Sequence, residues 1–308
     1  MDRFEAMSVF AAVTEAGSLS AAGRRLGMPL TTVSRKMTEL ESHLGTRLLV
    51  RSSRQLSLTE AGRSYLAACR RILEEVGEAE RAAAGEYSAP RGELVITAPI
   101  VFGRLHVLPV IAAFLRAYPE IEVRLSLADR VVHLLEDHVD LGVRIGELPD
   151  SSMVAVRVGA VRRVVCASPD YLAARGRPNR PADLAGHDII SFEGLASPDI
   201  WRFGAGKSEI SVPIRPRLTV NTAEAAIDAA TEGVGVTSVL SYQAADAVAS
   251  GRLALLLEEF EPPPRPVSLV YAGRGLLPLK LRAFLDFAGP RLKEALAQTA
   301  RAINLRAD

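Results

Sequence analysis

The sequence predicts an α+β protein of more than one domain, and three observations support this fold class. Residues 3 to 44 carry apolar side chains at the three- and four-residue spacings of short helices. A longer run with the same spacings extends from residue 60 to about residue 85. After residue 91, strand-like runs alternate with helical ones, which predicts two α/β lobes with mostly parallel sheets.

The length and composition are those of an ordinary globular protein. The chain has 308 residues, 48% hydrophobic and 24% charged, which is about twice the ~150 residues typical of one domain. Cys69 and Cys166 lie in apolar surroundings, as reduced, buried thiols do. The N-terminus has no secretion signal and no apolar run approaches ~20 residues, so we expect a soluble, cytoplasmic protein that does not enter a membrane.

Three short helices are predicted at the N-terminus. The second helix starts after Ser18, a good N-cap, and stops at Gly27; the third starts near Pro29 and stops at Gly45. Two helices joined by a glycine turn, the second with polar and basic residues on its outer face, form a helix-turn-helix pattern. The stretch RLLVRSSRQLSL at residues 47–58 then predicts a two-stranded wing.

The outer face of the third helix carries residue types that can bind DNA. Between residues 24 and 63, eight basic residues stand against three acidic ones, a local net charge of +5 in a chain whose formal net charge is only +1. Hydroxyls and guanidinium groups can bond base edges, so we assign base reading to Thr31, Thr32, Ser34, Arg35 and Thr38. Phosphate contacts are assigned to Arg24, Lys36, Arg51, Ser53 and Arg54.

The long helix after Thr59 has an a/d heptad pattern, which is typical of a helix that pairs with another helix. Its seam is predicted to contain Tyr65, Cys69, Ile72, Val76 and Ala79. The alternative is a helix that packs only on its own domain.

The rest of the chain contains motifs of other classes, none of them complete. In HLLEDH at residues 133–138 the two histidines are five apart, about 140° around a helix, so we expect no metal site. GVGVTS at residues 233–238 follows a predicted helix, which argues against dinucleotide binding, and no cofactor is expected. EPPPRP at residues 261–266 favours a stiff crossover between lobes over a PxxP ligand. The alternative function is a soluble small-molecule-binding protein or α/β enzyme whose helical N-terminus does not bind DNA.

The motifs GSLSAA, TVSR, LExHLG and LTEAG resemble the winged helix-turn-helix of LysR-type transcriptional regulators. The resemblance covers the whole chain and implies a DNA-binding domain at 1–59, a dimerising linker helix at 60–86 and an effector-binding domain at 91–308. That last domain would be similar to periplasmic binding proteins, with lobe I at 91–162 and 266–300 and lobe II at 163–265. The resemblance further implies a homodimer on a pseudo-palindromic promoter site, and tetramers made from two dimers. Where the family has serine as the N-cap of the recognition helix, this chain has Pro29, which leaves Thr31 or Thr32 either to cap the helix or to contact DNA.

The resemblance also implies that a small effector binds a cleft between the lobes. Ligands in open α/β sheets lie beyond the carboxyl ends of the strands. The residues predicted there are Pro99, Ile100, Val101, Phe102, Ala128, Ile145 and Gly146 in lobe I, and Phe192, Asn221, Thr222 and Gly235 in lobe II. Because the family often has Ser or Thr in the first of these loops, the apolar run at Pro99 favours a more apolar effector.

Overall fold

The structure is a computed structural model that describes residues 2–51, 56–83, 89–129, 134, 139–148, 153–192, 200–273 and 277–304. The chain divides into two compact units, residues 1–92 and residues 93–308. Of the short helix predicted near residues 130–137, only residue 134 is among the described residues.

The N-terminal unit is a helical core with a small wing. Its elements are α1 (Arg3–Ala16), α2 (Leu19–Leu26), α3 (Leu30–Leu44), β1 (Leu49–Arg51), β2 (Leu56–Leu58) and α4 (Glu60–Ala83). The two strands pair antiparallel, with Val50 opposite Ser57. Phe10, Val33, Met37 and Leu40 are almost completely buried in the core that joins the first three helices.

Side-chain caps set the helix limits in this unit. The Ser18 hydroxyl accepts the Ala21 N–H at 3.1 Å, and the Thr59 hydroxyl accepts the Gly62 N–H at 2.9 Å. Helix α3 has no side-chain cap, since Pro29 occupies that position and neither threonine that follows replaces it. Thr31 and Thr32 therefore make no capping bond that would withdraw them from DNA.

Lobe I of the C-terminal unit has a five-stranded sheet in the order β4-β3-β5-β14-β6. Its strands are β3 (Gly92–Ala98), β4 (Ile121–Leu127), β5 (Leu141–Ile145), β6 (Met153–Val161) and β14 (Arg265–Ala272). Its helices are α5 (Ile100–Phe102), a π-helical segment (Gly103–Val107), α6 (Leu108–Ala117) and the long α10 (Leu279–Asn304), which runs through Pro290. Phe102, Phe114 and Phe284 are buried at its core.

Lobe II has a second five-stranded sheet in the order β11-β8-β12-β7-β13. Its strands are β7 (Arg163–Ala167), β8 (Ile189–Phe192), β11 (Pro216–Val220), β12 (Val236–Leu240) and β13 (Ala254–Leu256). A separate hairpin consists of β9 (Ile200–Phe203) and β10 (Ile210–Pro213). The helices are α7 (Pro169–Arg175), α8 (Ala223–Thr231) and α9 (Ser241–Ala249), with 3-10 turns at Pro181–Gly186, Gly206–Ser208 and Glu258–Phe260.

The sheets are mixed, and the expectation of mostly parallel sheets was wrong. In lobe I, β14 pairs antiparallel with both β5 and β6; in lobe II, β7 pairs antiparallel with β12 and β13. Strand β14 reaches the lobe I sheet after the proline-rich segment, which is the predicted crossover. Among the described residues, one helical stretch, 100–117, is long and apolar enough to cross a membrane, and its buried side chains form part of the lobe I core.

Candidate nucleic-acid interface and effector-binding cleft

Helix α3 buries one face and exposes the other. Val33, Met37 and Leu40 are buried against α1 and α2. The residues that share the open surface on the other side are Leu30, Thr31, Ser34, Arg35, Thr38 and Glu39. Four of the five residues predicted to read bases are in this set, and the fifth, Thr32, is half-buried beside it.

The turn between α2 and α3 fixes the angle at which α3 is presented. Gly27 has φ of 66°, in the left-handed region that favours glycine. Its N–H donates to the Arg24 carbonyl, and the Met28 N–H donates to the Gly23 carbonyl at 2.8 Å, which together make a Schellman motif. Glu41, near the end of α3, accepts the N–H groups of Leu48 and Leu49 and so ties the helix to the wing.

Arg35 is the most prominent cation on the open face of α3. Its side chain is 64% exposed, and its Nη1 lies 2.8 Å from Glu39 Oε1, one helical turn further on. An ion pair this exposed is weak, so it orients the guanidinium without preventing contact with a base. Leu30 is 51% exposed at the start of the same face, and the sequence analysis missed it as an apolar group that can contact a thymine methyl.

The predicted phosphate contacts divide into three groups. Arg24 is exposed near the end of α2, so it stays a predicted phosphate contact. Lys36 is only 12% exposed because its ammonium group pairs with Glu5 of α1, so we withdraw it from the phosphate contacts. The side chains of Arg51, Ser53 and Arg54 lie outside the described residues.

Helix α4 begins within the core of its own unit. Cys69 is fully buried there, and Tyr65 packs beside it against Phe10, with ring centroids 5.9 Å apart. Burial raises the pKa of the Cys69 thiol to about 11 and that of Tyr65 to about 12. The assignment of Cys69 to a seam between two chains is therefore wrong, because it has no surface left to offer. Ile72 and Val76 are half-buried and Ala79 is exposed.

The first loop predicted for the effector cleft is mostly helix. Pro99 is the N-cap of α5, and the Ile100 N–H donates to Asp129 Oδ1 at 3.0 Å. Val101 and Phe102 are buried, with the Phe102 ring 5.3 Å from Tyr242 and 4.8 Å from His106. Those two residues pack in the core and are removed from the cleft, whereas Pro99 and Ile100 remain accessible.

The other predicted cleft residues are also split between surface and core. Ala128, Ile145 and Gly146 are half-buried at the strand ends of lobe I, and Asn221 is exposed at the end of β11. Thr222 caps α8 by accepting the Ala225 N–H at 3.2 Å. Phe192 and Gly235 are buried, and a Cβ on Gly235 would lie 2.2 Å from the Asp188 carbonyl oxygen. Both pack in the core, so we do not keep them among the accessible cleft candidates.

An ion pair that the sequence does not predict joins lobe I to lobe II. Arg104 Nη2, in the π-helical segment of lobe I, lies 3.1 Å from Glu224 Oε1 in the first turn of α8. The two residues are 120 positions apart, so no local pattern could have paired them. Both side chains are partly exposed, which makes the pair easy to break.

Family models match both units of the chain. The model described as "Bacterial regulatory helix-turn-helix protein, lysR family" matches residues 4–63, and the "LysR substrate binding domain" matches residues 88–293. The chain belongs to the LysR family of transcriptional regulators. The members of this family regulate transcription and are not enzymes; they bind DNA through the helix-turn-helix and small effectors in the substrate-binding domain.

Relatives of this LysR-type regulator match it over nearly the whole chain. The transcriptional activator AaeR of Escherichia coli K12 is 34% identical over 288 residues, which is 93% of each chain. A transcriptional repressor of Pseudomonas aeruginosa is 34% identical over 289 residues, 93% of this chain and 91% of its own. The structure of CrgA, a LysR-type regulator from Neisseria meningitidis, is 33% identical with a TM-score of 0.60, covering 94% of this chain and 98% of that one.

In this LysR-type regulator, a buried carboxylate lies where the chain crosses between the lobes. Arg162 Nη1 is 3.5 Å from Glu261 Oε2 and 3.7 Å from Glu258 Oε2. Burial raises the pKa of Glu261 from 4.5 to about 7; Arg162 opposes the shift and Glu258 adds to it. The ion pair therefore does not fully offset the cost of burying the charge.

We expect Glu261→Gln to stabilise lobe II at pH 8 and to change little at pH 5. The folded-state pKa lies above the unfolded one, so the penalty is complete above about pH 7 and disappears as the folded protein takes up a proton at lower pH. The gain at pH 8 should be about 1–3 kcal/mol. It can be measured from urea unfolding followed by the fluorescence of Trp201, the single tryptophan. Glu259→Gln, at an exposed neighbouring carboxylate, is the control, and an equal gain at both pH values would contradict the argument.

Proposed function

We propose that this regulator binds a pseudo-palindromic promoter site as a homodimer, with α3 of each copy in the major groove. The observation that carries the proposal is the open face of α3, where Thr31, Ser34, Arg35 and Thr38 lie together and no side chain is used as a cap. A helix in the major groove can read bases with these groups. Arg24 and the basic wing residues would add salt-dependent affinity for phosphates.

Helix α4 supports a dimer through its second half. Tyr65 and Cys69 fasten its start to the N-terminal unit, whereas Ile72, Val76 and Ala79 continue the same apolar stripe with surface to spare. Two such stripes can bury one another as a two-stranded coiled coil. The two recognition helices would then be related by a two-fold axis, which requires a DNA site with the same symmetry. Tetramers would be pairs of these dimers.

We expect Val76→Glu to dissociate the dimer. Two copies of the new carboxylate would face each other across the seam, and like charges in that position cost several kcal/mol, so association should weaken at least about a hundredfold. Sedimentation velocity across a concentration series measures the change. Val76→Leu keeps the apolar surface and is the matched control. A Val76→Glu protein that sediments as wild type does would rule out this seam.

We propose that an effector binds the cleft between the lobes and acts by favouring one arrangement of them. The residues that remain candidates are Pro99, Ile100, Ala128, Ile145, Gly146, Asn221 and Thr222. A ligand could bind better either when the Arg104–Glu224 pair is formed or when it is broken. In both cases it would shift the population of lobe arrangements. The spacing of the two recognition helices would change as a result. The apolar character of Pro99 and Ile100 supports an apolar effector. As a bacterial regulator acting on DNA, the protein would work in the cytoplasm.

The decisive experiment for the DNA-binding role is a gel-shift titration of the full chain at several salt concentrations. The promoter beside its own gene should bind more tightly than random DNA of the same length, and both affinities should fall as salt rises. Equal affinity for the two DNAs would argue against sequence-specific regulation. Absence of binding to either would favour the alternative of a small-molecule-binding protein.

A further inference from the structure

Lobe II contains a pocket of about 500 Å³ that is separate from the predicted effector cleft. It lies between the β9–β10 hairpin, strands β7 and β12 of the lobe II sheet, and the crossover segment before β14. Its walls include Arg163, Trp201, Phe203, Ser238, Glu261 and Arg265. None of the eleven residues predicted for the cleft lines it. Its volume is in the range that holds small organic ligands.

Three side chains that line this pocket bury polar atoms with no hydrogen-bond partner in the part of the chain that the structure describes. These atoms are Arg163 Nε and Nη1, Trp201 Nε1 and Glu261 Oε1. Buried polar groups are nearly always bonded in folded proteins, and each exception costs about 1–3 kcal/mol. Several such groups beside one pocket are positions where a ligand would supply the missing partners once these side chains turn toward it.

Two arginines in the pocket wall indicate that the ligand carries a negative charge. Arg163 begins β7 and Arg265 begins β14, and neither has an ion-pair partner among the described residues. Burial first, and then the neighbouring Arg265, lower the pKa of Arg163 to about 10, so the guanidinium is still charged at neutral pH. An anion between these two groups would relieve their repulsion and accept the free N–H groups of Arg163.

The remaining walls limit the size and charge of that anion. Three arginines and two glutamates line the pocket, which gives a formal charge of +1 above about pH 7, where Glu261 is ionised; this charge matches a monoanion better than a phosphate dianion. The accessible Ile200, Pro262 and Pro263, together with the largely buried Trp201 and Phe203, provide an apolar wall suited to an aromatic or bulky aliphatic body. Glu261 Oε1 offers an acceptor for a hydroxyl or ammonium group on the same ligand.

We propose that this pocket is a second ligand site, which binds a small monocarboxylate with an apolar, aryl-sized body and one hydroxyl or ammonium donor. The carboxylate bonds Arg163, the apolar body lies against Trp201 and Phe203, and the donor bonds Glu261. Because Arg163 and Arg265 begin the strands on either side of the lobe crossover, the ligand also joins these two chain segments. The proposed second site is separate from the effector cleft, and the proposal does not depend on an effector binding there.

Trp201 makes the site directly measurable, because it is the single tryptophan of the chain and lies in the pocket wall. The probes are mandelate, which has all three features; phenylacetate, which lacks the hydroxyl; and mandelamide, which lacks the charge. With the full chain, mandelate should change Trp201 fluorescence and release or absorb heat on titration. We expect phenylacetate to bind more weakly than mandelate, and mandelamide to bind at least about tenfold more weakly, since hydrogen bonds to charged groups contribute more than neutral ones.

Two variants test the assignment of the polar groups. Arg163→Met and Trp201→Phe should weaken mandelate binding, by about tenfold or more for Arg163→Met, when binding is measured by calorimetry. Arg163→Met should not lower the urea midpoint followed by circular dichroism, because Arg163 Nε and Nη1 have no partner among the described residues of the free protein; a purely structural role would predict the opposite. Trp201→Phe also loses packing in a buried cluster, so it is judged by mandelate affinity alone. Should Arg163→Met not fold, Trp201→Phe still decides the matter through its loss of affinity.

A cleft variant separates the two sites. Ile100→Ala alters an accessible residue of the predicted effector cleft and should leave mandelate binding unchanged. Loss of binding in Ile100→Ala but not in Arg163→Met would place the probe in the cleft and overturn the proposal. Failure of every carboxylate probe to bind at millimolar concentration would also overturn it, as would equal binding of mandelate and mandelamide.

Discussion

Arg35→Ala is expected to lower affinity for the specific promoter site about 10- to 100-fold while changing affinity for random DNA by less than about threefold. Arg35 is the one arginine on the open face of α3 among the described residues, and a guanidinium bonded to a base edge contributes about 1–3 kcal/mol of discrimination. Random DNA is held through phosphates, which other cations continue to contact. Fluorescence anisotropy with labelled promoter and random duplexes, at one fixed salt concentration, measures the affinity for each DNA.

Arg25→Ala is a closely matched control for this prediction. Arg25 is also an arginine of the N-terminal unit, its side chain is 61% exposed, and its Nη1 is 2.7 Å from Glu15 Oε2. It therefore resembles Arg35 in exposure and in having a glutamate partner, but it is not on the open face of α3. We expect a small and equal loss on both DNAs. A drop in specific affinity as large as that of Arg35→Ala would mean that overall charge, and not base contact, explains the Arg35 result.

The recognition helix was predictable because its determinants are local. Apolar spacing, the Ser18 cap and the glycines at positions 27 and 45 fix where the helices begin and end, and the exposed face follows from which positions are apolar. What the sequence did not reveal there is a partner 31 residues away: Glu5 neutralises Lys36 and removes it from the surface. Ion pairs of that kind depend on how α1 packs against α3.

The effector-binding domain was harder to predict because its contacts are distant in sequence. Strand periodicity does not report direction, so the antiparallel pairing of β14 with β5 could not be seen. The β9–β10 hairpin was missed, although it forms one wall of the pocket that contains Trp201. Phe102 comes after β3 and Phe192 ends β8, where ligand-binding residues often lie, yet both are buried in cores that include residues remote in sequence.

Gly235→Ala is expected to destabilise lobe II by about 2–4 kcal/mol. Gly235 precedes β12, and the Val236 N–H donates to the Asp188 carbonyl at 2.9 Å where β12 and β8 begin their parallel pairing. A Cβ at position 235 would lie 2.2 Å from that same carbonyl oxygen and 2.8 Å from its carbon. Both neighbours are backbone atoms, so the strands must separate, and overpacking of this kind costs about 1–3 kcal/mol or more. The loss would appear as a lower urea midpoint for the Trp201 fluorescence transition.

Gly186→Ala distinguishes this close approach from a general intolerance of glycine replacement in lobe II. No heavy atom lies within 4 Å of a Cβ at position 186, and its φ is not positive, so we expect a change within about 0.5 kcal/mol. The pair of variants also decides between two roles for Gly235. A ligand-contacting glycine would leave the unfolding midpoint unchanged and alter only effector binding. A structural glycine lowers the midpoint with no ligand present, because the clash with Asp188 exists in the free protein.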